Sequence, residues 1–159
     1  MLDFANGTAL MVAFGTSAAL WWLYFDEVGW RAQRTLSRSH DSGRLARDAY
    51  TYLHLPIVAG IIVAAVGNEL VIAHPDDAAG WAGTAVIVGG PVLYLLGHLV
   101  FRLRMIHNVT RKRVAATAAL VAVAPLGAIS DLVLGAAVAA ILVVLAVAET
   151  RGRLAAAAA

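Results

Sequence analysis

The sequence predicts an all-α fold, a polytopic bundle of five transmembrane helices. Of its 159 residues, 61% are hydrophobic and 14% are charged, and the mean hydropathy is +0.79. A soluble domain is typically about half apolar and about a quarter charged. The apolar residues also form long runs without Lys or Arg. The twelve Lys and Arg residues fall into three clusters outside those runs, at 31–47, 102–113 and 151–153.

The three basic clusters also predict how the helices are oriented. Positively charged segments cross membranes poorly, so Lys and Arg are retained in cytoplasmic loops. An even number of crossings between successive clusters places all three on the cytoplasmic side. We therefore expect the N-terminus outside, the C-terminus inside and a multi-pass location in the cytoplasmic (inner) membrane. Residues 1–159 then form a single transmembrane domain whose main partner is the lipid bilayer.

The first three predicted spans each have about the 20 residues that a helix needs to cross the hydrocarbon core. They are residues 5–25, 49–72 and 81–101. A basic cytoplasmic loop follows the first span from Asp26. The loop between the second and third spans contains Pro75, two aspartates and no Lys or Arg, which fits the outer side.

The apolar run over residues 114–148 is too long for one crossing, because a continuous helix of that length would measure about 52 Å. It is interrupted by Pro125 and Gly127, followed by a Ser-Asp pair. We interpret it as a tight hairpin of two short spans, 114–129 and 132–149. A single crossing would instead leave the last basic cluster outside, against the charge rule.

Small residues recur at helical spacing on two of the spans. Gly60, Ala64 and Gly67 lie on the second span, and Gly83 and Gly90 lie on the third. Small residues let helix backbones approach closely in lipid. These stripes therefore predict that the second and third spans pack against neighbouring helices.

Composition and motifs exclude several classes of function. The sequence has no cysteine, so disulfides and thiolate metal ligands are impossible. A formal net charge of +2, spread over predicted loops, does not indicate a nucleic-acid partner. No phosphate-binding loop, metalloprotease motif or nucleophile elbow is present. We therefore expect no enzymatic activity, no metal and no cofactor.

Ionisable side chains inside the spans are the candidate functional residues, because a charge at the membrane centre costs about 2.5 kcal/mol or more. His54 and His98 lie near the cytoplasmic ends of two antiparallel spans, which places their imidazoles at similar depth. Asp26 ends the first span on the same side. The other candidates lie on the same spans as the histidines: Tyr50, Glu69, Tyr94 and Arg102.

Three interpretations of this polar cluster stay open. It can be structural, with interhelical hydrogen bonds of about 0.6 kcal/mol each that fix the helix register. It can form a transport or proton-relay pathway from Glu69 outside to His54, His98 and Asp26 inside. It can also hold a haem between the two histidines, or a zinc ion with further ligands such as Asp26. The leading hypothesis is a non-enzymatic, transporter-like membrane protein. The alternatives are a membrane-bound redox or metal-dependent enzyme and a structural membrane subunit.

Four strings carry polar residues that are unusual inside apolar runs. They are WWLYFD (21–26), RDAYTYLHLPIVAG (47–60), GNE (67–69) and GGPVLYLLGH (89–98). Together they resemble the bacterial low-temperature-requirement A (LtrA) membrane protein family, which is named for a growth requirement in the cold. The positions that match the family's polar motif are Asp26, Tyr50, His54, Glu69, Tyr94 and His98.

The resemblance also implies partners for this chain. Members of the family are typically longer, and the four strings are similar to their C-terminal half. The resemblance therefore implies companion membrane helices or a homo-oligomer, in a bacterial cytoplasmic membrane.

Overall fold

The computed structural model describes residues 4–36, 54–106 and 110–158, with side chains for 4–25, 54–104 and 110–158. Within these ranges every regular element is helical, which confirms the predicted all-α fold. The elements are α1 (Phe4–Leu36), α2 (His54–Ala73), α3 (Gly80–Ile106), α4 (Arg111–Ala122), a 3-10 helix (Ala124–Ala128) and α5 (Asp131–Ala157).

Four of the described helices contain a segment that is long and apolar enough to cross a membrane. These segments are Phe4–Phe25, His54–Ala73, Gly80–Arg104 and Asp131–Ala157. Large apolar side chains point outward from them, including Phe14 at 70% and Ile62 at 60% exposure. Apolar surface of this extent is what a lipid bilayer covers.

Three helices extend beyond the spans that the sequence predicted. α1 continues past residue 25 to Leu36, α3 past residue 101 to Ile106 and α5 past residue 149 to Ala157. Residues 26–36, predicted to begin a loop, are therefore helical. Hydropathy identifies only the apolar part of a helix that can lie in the membrane. The Ala, Gln and Arg residues of 26–36 are good helix formers, so the helix continues through this polar stretch.

The predicted hairpin is present, but its first arm is not one regular helix. α4 ends at Ala122, and a 3-10 helix continues from Ala124 to Ala128. Pro125 lies in its first turn, where a missing N–H is tolerated. Neither element is among the four segments that are long and apolar enough to cross a membrane.

The basic residues whose side chains the structure describes lie towards one end of the bundle. α1, α3 and α5 run towards this end, and α2 and α4 begin there. Arg113 of α4 bonds to Glu149 of α5, and its Nη2 lies 3.5 Å from the backbone oxygen of Leu23 in α1. We refer to this as the basic end.

The two connections predicted to lie outside meet at the opposite end. The backbone N–H of Ala79 donates to the oxygen of Gly127 at 2.9 Å, and that of Asp131 donates to the oxygen of Asp77 at 2.8 Å. These bonds dock the α2–α3 connection onto the turn between the 3-10 helix and α5.

α2 and α3 pack closely against each other. The small-residue stripes predicted close packing with neighbouring helices but did not name the partner helix. A Cβ on Gly60 would lie 2.5 Å from the backbone nitrogen of Tyr94, and one on Gly67 would lie 2.9 Å from the Cα of Ile87. A Cβ on Gly90 would collide with the backbone of α2 at Ala64. Glycine is therefore required for this approach.

Candidate functional site

Two histidines from different helices meet around one tyrosine near the basic end. The Tyr24 hydroxyl of α1 lies 3.3 Å from Nε2 of His54, the first residue of α2. The ring of His98 on α3 lies edge-on to Tyr24, with ring centroids 6.1 Å apart. The two imidazoles therefore lie at a similar depth, as the antiparallel spans predicted. We refer to these three residues with Tyr94 as the histidine cluster.

The two histidines differ in accessibility. His98 is 1% exposed, and its ring packs against Tyr94 at a centroid distance of 4.6 Å. His54 is half-buried and lines a cavity between α1 and α2. A solute that enters this cavity therefore meets His54 and Tyr24 before His98.

Tyr94 ties the cluster to α1. Its hydroxyl donates to the backbone oxygen of Leu20 at 2.7 Å, and its side chain is fully buried. The sequence placed Gly90, Tyr94, His98 and Arg102 on one face of α3 at four-residue spacing, and all four are buried. Arg102 lies one turn beyond His98, towards the basic end.

The cavity at His54 has a volume of about 370 Å³ and is largely apolar. Its walls are Leu20, Trp21 and Phe25 of α1 and Ile61 and Ala64 of α2. Its polar wall residues are Tyr24 and His54 near the basic end and Ser17 and Asn68 towards the other end of the cavity.

A second cavity, of about 560 Å³, continues from the first along the same pair of helices. The two cavities share Ser17, Ala65 and Asn68, and the second reaches Glu69. Glu69 is exposed and lies 15 residues from His54, or about 22 Å along the helix. We refer to the two cavities together as the α1–α2 groove.

Asn68 crosses the groove where the two cavities join, next to Glu69. Its Nδ2 donates to the backbone oxygen of Ala13 at 3.3 Å and to Oγ of Ser17 at 3.2 Å. Hydrogen bonds therefore join the two walls of the groove at Asn68 and at Tyr24.

The sequence candidates are distributed as follows. His54, Tyr94 and His98 lie together, Arg102 shares the buried face of α3, and Glu69 lies at the far end of the groove. Asp26 belongs to α1, but its side chain lies outside the described part of the structure, as does Tyr50 entirely.

Sequence reasoning missed Tyr24, although it lies at the centre of the cluster. Its position in an aromatic string at a span end favoured a role at the membrane interface. The available signal was its depth, because it lies two residues before Asp26 and therefore level with both histidines.

A buried ion pair near the cluster was also missed. Arg113 is fully buried, and its Nε and Nη2 each lie 2.9 Å from a carboxylate oxygen of Glu149. We had assigned Arg113 to a solvated loop. The signal was that the two charges flank the same end of a predicted hairpin.

The chemistry available at the histidine cluster is hydrogen bonding and proton exchange. A neutral imidazole donates through one nitrogen and accepts through the other, and a phenol does both. Among the side chains that the structure describes, no group of three or more His, Cys, Asp or Glu is placed to hold a metal ion. Asp26, the further zinc ligand suggested by the sequence, is not among them.

The long apolar helices and the buried polar cluster define an integral membrane protein. A family model described as "Bacterial low temperature requirement A protein (LtrA)" matches residues 2–147. The chain therefore belongs to the LtrA family, a family of bacterial membrane proteins, and the predicted resemblance is confirmed.

A curated relative matches part of the chain. Over 91 residues the chain is 36% identical to "Uncharacterized protein RA0937" of Rhizobium meliloti (strain 1021). This match covers 55% of the chain and 22% of the length of the relative. No solved structure matches the chain.

Proposed function

We propose that this chain is a non-enzymatic, transporter-like protein of the bacterial cytoplasmic membrane, and that the α1–α2 groove and the histidine cluster form a proton pathway. The observation that carries the proposal is the order of polar groups along one groove. Tyr24 and His54 lie at the basic end. Asn68 and the neighbouring Glu69 lie about 20 Å away along α2, with Ser17 beside Asn68.

The side chains of this pathway suit proton transfer. Glutamate and histidine exchange protons, while tyrosine, serine and asparagine hydrogen-bond to water or to each other. Water must bridge the intervals. The cavity at His54 has room for on the order of ten waters at about 30 Å³ each.

Proton flux into proteoliposomes tests this proposal. A trapped pH-sensitive dye reports acidification after a potassium gradient and valinomycin impose a negative interior potential. We expect the wild-type chain to acidify vesicles faster than protein-free vesicles do. His54→Gln and Glu69→Gln should slow this flux roughly tenfold or more, since each removes a group that exchanges protons.

His74→Gln is the matched control, because His74 is exposed in the α2–α3 connection and lies outside the groove. It should leave the flux unchanged. Each variant is compared at equal helicity and equal yield of reconstituted protein. Wild-type flux at the protein-free level would exclude a proton pathway in this chain.

We further propose five crossings with the N-terminus outside and the C-terminus in the cytoplasm. Two features support this arrangement. The described basic residues lie towards one end, and the α4 and 3-10 segment reaches from Arg113 at that end to Gly127 at the other. Positive residues are retained in the cytoplasm, so the basic end is the inner one.

Introduced cysteines test the topology cleanly, because the natural chain has none. A membrane-impermeant maleimide applied to spheroplasts should label Asp76→Cys and Ile129→Cys. It should label Arg104→Cys and Gly152→Cys only after permeabilisation. If Ile129→Cys behaved like Arg104→Cys, the segment containing α4 would not cross the membrane.

We also propose that companion helices or a second copy of the chain cover the open side of the groove. The groove faces outward along its length, with Trp21, Phe25 and Ile61 exposed at its rim. The match to only 22% of the relative's length supports further helices beside this bundle. Native mass spectrometry from lipid discs should therefore show a dimer or a co-purified membrane protein, and a lone monomer would contradict this.

A further inference from the structure

A separate groove lies between α1 and α5, on a different face of α1 from the histidine cluster. We propose that it holds an acyl chain of an anionic phospholipid from the surrounding bilayer, with the lipid phosphate at Arg151. The proposal does not depend on the proton pathway, because the two grooves have no lining residue in common.

The groove has space for a chain along its whole length. Its volume is about 490 Å³, and its α1 wall consists of Gly15, Ala18 and Ala19. A Cβ added to Gly15 would meet no atom within 4 Å. Val143 and Val147 of α5 form the facing wall, so the groove is apolar away from the basic end.

The floor of the groove is closed by direct contacts between α1 and α5. The indole Nε1 of Trp22 donates to Oγ1 of Thr150 at 3.0 Å. Further along, a Cβ on Gly135 would lie 3.4 Å from Val12. The two helices are therefore too close for another helix, about 10 Å across, to fit between them. A single flexible acyl chain fits this shape.

Charge at the basic end identifies the headgroup. Arg151 is exposed and lines the groove beside Trp22, and Arg153 follows two residues later, with Nη2 3.4 Å from Thr150 Oγ1. A guanidinium forms bidentate hydrogen bonds to phosphate. Basic pockets between transmembrane helices bind anionic headgroups, and tryptophan is enriched at the same depth.

Lipid retention by the full-length chain tests the proposal. The protein is extracted in detergent and titrated with phosphatidylglycerol, and the bound lipid is counted by native mass spectrometry. We expect Arg151→Gln to weaken binding about fivefold, as estimated for one cationic side chain near an anionic lipid surface. Gly15→Leu should weaken it as well, because its side chain fills the groove without touching the headgroup.

Arg104→Gln is the matched control, because Arg104 is exposed towards the same end but lies on α3, outside the groove. It should change binding less than twofold. Equal weakening by Arg104→Gln and Arg151→Gln would reduce the effect to general charge attraction and overturn the site. Unchanged binding in Gly15→Leu would also overturn it, as would saturable binding of glycerol 3-phosphate alone.

Discussion

The α2–α3 pair and the attachment of α1 hold the bundle together by different means. In the α2–α3 pair, glycines bring two backbones into contact, as at Gly60 against Tyr94 and Gly90 against Ala64. α1 instead borders two grooves, and side chains from α2, α3 and α4 bond to or approach its backbone. Contact between backbones fixes the first region, whereas the second adds polar bonds to the packing of buried side chains such as Leu20 and Leu23.

Those polar bonds share an uncommon target. Three backbone oxygens of α1 are approached by side chains, one each from α2, α3 and α4. Asn68 donates to the oxygen of Ala13, Tyr94 to that of Leu20, and Arg113 approaches that of Leu23. The α1–α2 boundary, which carries the proposed pathway, is therefore bridged by side chains, whereas the α2–α3 boundary is a contact between backbones.

The largest effect is expected at the ion pair between Arg113 of α4 and Glu149 of α5, which holds Arg113 beside the α1 backbone at Leu23. Glu149→Gln removes the carboxylate that holds both Nε and Nη2 of the fully buried Arg113. Removing one partner of a buried pair typically costs about 3–5 kcal/mol. Thermal unfolding in detergent micelles should therefore show a large loss of stability. The exposed Arg111→Gln is the control, and an equal loss in both variants would show that the ion pair has no special role.

The next largest effect should come from the α2–α3 contact. Gly90→Ala places a methyl group against the backbone of Ala64 and should destabilise the chain by about 1–3 kcal/mol, as overpacking does. Gly89→Ala meets no atom within 4 Å and should be neutral or stabilising by up to about 1 kcal/mol, because alanine favours helices. Denaturant titration compares the two. A stable Gly90→Ala variant would mean that the helices can separate without cost.

The same contrast explains what the sequence could predict. Small residues at helical spacing on the second and third spans predicted close packing with neighbouring helices, but they did not identify the two spans as each other's partners. The shared depth of His54 and His98 followed from antiparallel spans. The role of Tyr24 did not, because it depends on how α1 is rotated about its axis. Arg113 was misassigned because it lies just before the predicted span at 114–129, whereas the helix begins two residues earlier, at Arg111.

A smaller effect is expected at the hydroxyl of Tyr94, which links the two regions. Tyr94→Phe keeps the ring that packs on His98 but loses the 2.7 Å bond to Leu20. Such bonds in membranes average about 0.6 and reach about 1.7 kcal/mol. We expect a loss within that range and a looser α1, seen as faster hydrogen exchange of α1 amides. If exchange increased equally in α3, the bond would stabilise the whole bundle and not the attachment of α1.

The smallest effect should come from Asn68, where the two cavities of the groove join. Asn68→Ala removes the bonds to the oxygen of Ala13 and to Ser17, at a cost of about 0.6 kcal/mol. Both bonds are at least 3.2 Å long and one is exposed, so water can replace the lost donor. A double-mutant cycle with Ser17→Ala isolates the side-chain bond. Additive single effects would show that Asn68 holds α1 only through the backbone oxygen of Ala13. Coupling would show that Ser17 and Asn68 act as a hydrogen-bonded pair within the proposed pathway.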